Sequence, residues 1–139
     1  MRTYIQTGIL ALTLATSALA GDYAVVVSQA TRANKDWRSV VQALIEKHDA
    51  KLITHKAGVA GALGKLRGQF PRYTCFVATP KEATGAYVAR VHQLTRQLDE
   101  DPYTDTFWGI LTGYNAANAL AIARHSKPLT VRKVASGTE

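Results

Sequence analysis

Tyr23-Ala24-Val25-Val26-Val27-Ser28 decides the fold class. A continuous apolar run rich in β-branched residues, with no polar alternation, predicts a strand buried on both faces, as in the interior of a parallel sheet. Parallel neighbours require a crossover helix, and the next segment supplies one. Trp37, Val40, Val41, Leu44, Ile45 and His48 fall on one helical stripe, with Asn34 or Asp36 placed to cap its start. Lys51 to His55 gives a short second strand. Val59, Leu63, Leu66 and Phe70 mark a weaker, glycine-containing helix that ends near Pro71.

Outward from there the alternation continues. Tyr73 to Ala78 repeats the buried-strand pattern, and Thr79-Pro80 stops it, because proline has no N–H to give a ladder. Tyr87, Val91, Leu94 and Leu98 form the apolar face of a third helix whose other face carries Arg90, Gln93, Arg96 and Gln97. The acidic turn Asp99-Glu100-Asp101-Pro102 leads to Phe107-Trp108-Gly109-Ile110-Leu111, a fourth apolar run read as part of the buried sheet. Thr112-Gly113-Tyr114 then turns the chain into a helix from about Asn115 to Arg124, and Leu129 to Val134 predicts a last strand. Strand and helix in regular succession imply an α/β, three-layer sandwich with a mainly parallel, Rossmann-like sheet and right-handed crossovers. Ligands of such sheets collect beyond the carboxyl ends of the strands. The informative segments are therefore Ser28 to Lys35, Thr79 to Thr84 and Thr112 to Asn115.

With 139 residues the chain has room for one domain. Residues 1–20 read as a secretory signal peptide: Arg2 gives a positive start, Ile9 to Leu14 an apolar middle, and Ala18-Leu19-Ala20 a small-x-small cleavage pattern. The competing reading is an N-terminal anchor, but the run is short and broken by Thr13, Thr16 and Ser17. The expected mature domain is 21–139, secreted or periplasmic, with no membrane attachment after cleavage. Cys75 is the single cysteine, so neither an internal disulfide nor a zinc cluster built on a cysteine pair is available. The formal charge is +7, from 17 Lys and Arg against 10 Asp and Glu. The basic residues, among them Lys35, Arg38, Lys51, Lys65, Arg72, Arg90 and Lys127, are scattered and do not form a stripe. Attraction to acidic envelope polymers explains them better than nucleic acid does.

A phosphate loop needs glycine directly after the first strand, so that backbone N–H groups can approach the anion. Ser28-Gln29-Ala30-Thr31-Arg32 contains none, and Gly58, Gly61, Gly64 and Gly68 come only after the second strand. Cys75 lies in mid-strand, where burial is a better reading than nucleophilic duty. His48, His55, His92 and His125 show no ligand or dyad spacing. Glu100, Asp101 and Asp105 offer hard oxygens without the ligand periodicity or central glycine of a calcium loop, so a solvated turn is expected. No cofactor or metal is expected. Thr112, Tyr114 and Asn115 either face a site or serve as helix cap and core-edge packing. With Thr79 and Lys81 they make a candidate strand-end surface for an anionic small molecule or a protein partner.

Four stretches carry a family resemblance: YAVVVS at 23–28, DWRSVVQALIEKHDAKLITHK at 36–56, RYTCFVATP at 72–80, and above all RQLDEDPYTDTFWGILTGYNAANALAIA at 96–123. In this order they resemble the N-terminal part of the caspase-like domain of gingipain-type cysteine peptidases and their exported bacterial relatives. The resemblance spans about residues 23 to 134. It implies a caspase-like sheet, incomplete in this chain. In that family the catalytic His and Cys each follow a later strand of the sheet, with the His activating the Cys for attack on a peptide carbonyl. Neither position falls within this chain, so no catalytic residue is carried over. Asp105, Trp108 and Gly109 match the motif at the strand before the final helix, where the resemblance implies a structural role. The expected function is a subdomain inactive by itself, whose partner is the remaining catalytic part of the peptidase. Two alternatives stand beside it: a self-contained α/β binding module, and a soluble partner subunit that completes a separate catalytic half.

Overall fold

A computed structural model describes residues 22–127 together with 130, 132 and 133. The leader expected over 1–20 lies outside the described residues, and so do Leu129, Val131 and Val134 of the strand expected from Leu129 to Val134. The strands are β1 (Tyr23–Ser28), β2 (Lys51–His55), β3 (Tyr73–Val77) and β4 (Phe107–Leu111). The helices are α1 (Gln29–Ala33), α2 (Lys35–His48), α3 (Leu63–Gln69), α4 (Gly85–Leu94) and α5 (Ala116–Arg124), with a 3-10 turn at Val59–Ala62 leading into α3.

All strand pairs are parallel, in the order β2-β1-β3-β4. Strand β1 is interior, as its unbroken apolar run requires, and Ala24 to Val27 are each fully buried. The chain steps outward from β1 to β2, then crosses back to β3 and continues to β4. The topological switch therefore lies between β1 and β3.

Alternation along each strand divides the side chains between two cores. Val25, Val27, Cys75 and Val77 pack with Trp37, Val40, Val41 and Leu44 of α2 and with Ala119 and Ala123 of α5. Ala24, Val26, Ile53 and Phe76 pack on the other face against Leu66 of α3 and Val91 and Leu94 of α4. Helix α2 starts where Asn34 Oδ1 accepts from the N–H groups of Asp36 (3.0 Å) and Trp37 (3.3 Å), so Asn34 and not Asp36 is its cap. It stops at Asp49, which takes the left-handed conformation at φ 49°.

The paired residues Tyr23, Tyr73 and Phe107 stack across the amino ends of three strands, with centroids 6.2 and 5.7 Å apart. His48 lies flat on Tyr23 at 4.2 Å, tying the end of α2 to this ladder. The segment after β1 folds directly into the short helix α1. One expectation needs correction. The fourth apolar run is not a buried strand, because β4 has only β3 as a neighbour among the described residues and Phe107 is 70% exposed.

Candidate functional site

The carboxyl ends of β1 and β3 bring Ser28 and Thr79 to the switch point, and His55 ends β2 on the other side of β1. Thr79-Pro80 ends the pairing of β3. The chain then folds back in a turn closed by hydrogen bonds from the Glu82 and Ala83 N–H groups to the Thr79 carbonyl, at 3.0 and 2.9 Å. That turn lays the Glu82 carboxylate over the start of α1.

Ser28 Oγ donates to Glu82 Oε1 at 2.5 Å and Thr31 Oγ1 donates to Oε2 at 2.6 Å. The Thr79 N–H and Thr79 Oγ1 also donate to Oε2, at 2.9 and 3.0 Å. Ser28 Oγ in turn accepts from the Thr31 N–H at 3.0 Å, capping α1. Burial alone would push the Glu82 pKa up, but the donors from Ser28, Thr31 and Thr79 outweigh it and hold the carboxyl below its ordinary range. Glu82 is thus an ionised knot that ties the β1–α1 corner to the β3–α4 turn. In a nucleotide-binding sheet an anionic phosphate would stand here. This chain places its own carboxylate at that point, consistent with the absence of glycine in Ser28 to Arg32.

His55 ends β2 beside Ser28 in the register and is only 6% exposed. Neither Nδ1 nor Nε2 has a hydrogen-bond partner among the described residues. Burial lowers the imidazole pKa, and the opposing field of Glu82 recovers only part of the shift. The ring is therefore neutral at pH 7.

The candidate surface divides into two parts. Thr79 joins the Glu82 knot, while Lys81 is exposed on the turn beside it. Thr112 follows β4, and its Oγ1 is buried without a partner among the described residues. Asn115 Oδ1 accepts from the Asn118 N–H at 2.9 Å and so caps α5. Tyr114 is 96% exposed and packs against no core edge. No side-chain hydrogen bond among the described residues joins Thr79 and Lys81 to Thr112, Tyr114 and Asn115. Reading the sequence located the segments but missed Glu82, Ser28, Thr31 and His55. The available signals were an acid three residues after Thr79 and hydroxyls at the strand end.

The remaining candidates resolve by contact. Cys75 is 8% exposed, and burial pushes its thiol up to about 11, so it is no ready nucleophile. Carboxylate oxygens of Asp99, Asp101 and Asp105 lie within 4.8 Å of one another. They accept from the N–H groups of Asp101, Tyr103 and Leu98 at 2.9, 2.8 and 2.9 Å, respectively, and so build the turn before β4. Among the described residues no helix is long and apolar enough to cross a membrane. Comparison with family models, with curated proteins and with solved structures gives no match to this chain.

Proposed function

We propose that the chain is the noncatalytic N-terminal part of a caspase-like sheet in an exported, gingipain-like cysteine peptidase, with the catalytic His and Cys supplied by strands added beyond β4. The observation that carries this reading is the character of the β4 edge. Natural edge strands are guarded by charge, proline, bulges or cover. Phe107 to Leu111 has no charged residue and no proline, and its side chains are half-buried or exposed on both faces. A Cβ added at Gly109 would meet nothing within 4 Å. Such a strand has the composition of an interior strand and the exposure of an edge, as expected where a further parallel strand and its covering helix belong.

The buried, raised thiol of Cys75 supports the noncatalytic part of the reading. The alternative, a self-contained module for an anionic ligand, gains little from the strand-end surface, because the fixed charge of Glu82 repels an anion there. The test is the intact mass of the protein from its native source, paired with a peptidase assay before and after thiol alkylation. A mass larger than the 139-residue chain, with alkylation-sensitive activity, is expected. A mass equal to residues 21–139 without activity would retire the peptidase reading. Activity lost on Cys75→Ser would overturn the noncatalytic role.

A further inference from the structure

The opposite edge of the sheet differs from β4 in chemistry. Strand β2 pairs with β1 on one side and with no described strand on the other, and it begins with the exposed Lys51. Beside it, between α1, α2 and β2, lies an open depression of about 460 Å³. Its apolar floor includes Ile45 and Leu52, its rim carries Arg32 and Arg38, and no acidic residue lines it. Arg38 is braced in place: Nε donates to the Arg32 carbonyl at 3.3 Å and Nη2 to the Ala33 carbonyl at 3.1 Å. That leaves the other N–H groups of a fixed guanidinium fork to meet a carboxylate.

We infer that the outer edge of β2 receives an extended acidic peptide segment of a protein partner as an added strand, with acidic side chains on Arg32 and Arg38 and apolar ones over Leu52. The inference does not depend on the peptidase reading. Main-chain pairing supplies affinity in such complexes and alternate side chains supply selection. Charge decides between the possible occupants. A second copy of this chain would bring Lys51, Arg32 and Arg38 against their own kind, whereas an acidic strand neutralises them.

The probe is a fluorescein-labelled hexapeptide amide of alternating Glu and Val, titrated into the purified protein by anisotropy. Saturable binding that weakens with salt is expected, with slowed amide exchange at Leu52 to Thr54. Arg32→Glu and Arg38→Glu are each expected to weaken binding about tenfold, as loss of a charged contact does at a partly exposed site. Arg38→Glu also removes the brace on α1, so Arg32→Glu, checked for unchanged circular dichroism, is the deciding variant. No binding, equal binding of the Lys-Val hexapeptide, or an unchanged titration with Arg32→Glu would overturn the proposal. So would competition by free glutarate at the peptide's own concentration, since a carboxylate alone would then suffice. Dimerisation without peptide that persists in Phe107→Lys and slows amide exchange at Leu52 to Thr54 would assign the edge to a second copy and overturn it as well.

Discussion

A carboxylate held by Ser28 Oγ, Thr31 Oγ1 and two donors of Thr79 resists protonation, because each donor would lose an ionised acceptor. Glu82→Gln keeps the shape, and its amide oxygen can stay with the Thr31 and Thr79 donors, but it loses the charge and sets an NH2 group against Ser28 Oγ, which must turn to accept. A loss of about 1–2 kcal/mol at pH 7 is expected in denaturant titration, toward the low end for a site partly open to solvent. The Glu82 pKa is lowered on folding, so its contribution is present above the ordinary glutamate value of about 4.3 and drains as pH falls through the folded value. The acid limb of the stability curve should therefore flatten in the variant, and an unchanged limb would show that Glu82 is not the group responsible. His55 also has a lowered pKa, in a higher window. Below about pH 6.5 the unfolded chain takes up a proton that the buried ring refuses, so stability falls until the folded value is passed. His55→Leu fills a similar volume and leaves no unpartnered ring nitrogen. It should lie within about 1 kcal/mol of the parent at pH 7 and become the more stable of the two at pH 5.5. Equal losses at both values would mean that the imidazole makes contacts Leu cannot replace. Neither group was legible as a site in the sequence, since the contacts of Glu82 with Ser28 and Thr31 span 54 and 51 residues.

Elements were more legible than sites, and the exceptions have physical causes. Helix α2 combined an unbroken apolar stripe with a side-chain cap, so local and tertiary preferences agreed. The spacing of Tyr87, Val91, Leu94 and Leu98 predicted burial of Leu98 correctly but overran the helix. Helix α4 ends at Leu94, and Leu98 is drawn into the core by its N–H bond to Asp105 Oδ2 at 2.9 Å. The fourth apolar run was read as buried because composition cannot reveal whether a strand's next neighbour is present. Glycines make a further test at this scale. A Cβ on Gly113 would lie 2.7 Å from Asn118 Oδ1 and 2.9 Å from the Ala119 nitrogen, so it would push on the backbone of α5 itself. Gly113→Ala should cost about 1–3 kcal/mol in thermal or denaturant unfolding. In α3, by contrast, a Cβ on Gly64 meets nothing within 4 Å, and Gly64→Ala should gain about 0.5–1 kcal/mol from helix propensity. Equal effects of the two substitutions would mean that the turn before α5 yields without cost.

For the whole molecule, the two sheet edges set its behaviour in solution. At β2, Lys51, Arg32 and Arg38 discourage self-pairing, whereas β4, with β3 as its one neighbour among the described residues, offers an apolar ladder with an exposed Phe107. If β4 is where the sheet continues, the chain alone should associate through that edge as its concentration rises, because unpaired backbone and apolar side chains are available together. Phe107→Lys should suppress this association. It should cost no more than about 1 kcal/mol of stability, since the ring gives up a single stacking contact with Tyr73 at 5.7 Å and little buried area. Sedimentation velocity over a concentration series, with denaturant titration of the same samples, separates the possibilities. Concentration-dependent association in the parent that is absent in the variant is the expected pair of results. A parent that stays monomeric throughout would mean that the edge needs no neighbour. A large loss of stability in Phe107→Lys would mean that the ring is already covered within this chain, and either result would remove the main support for a sheet that extends beyond β4.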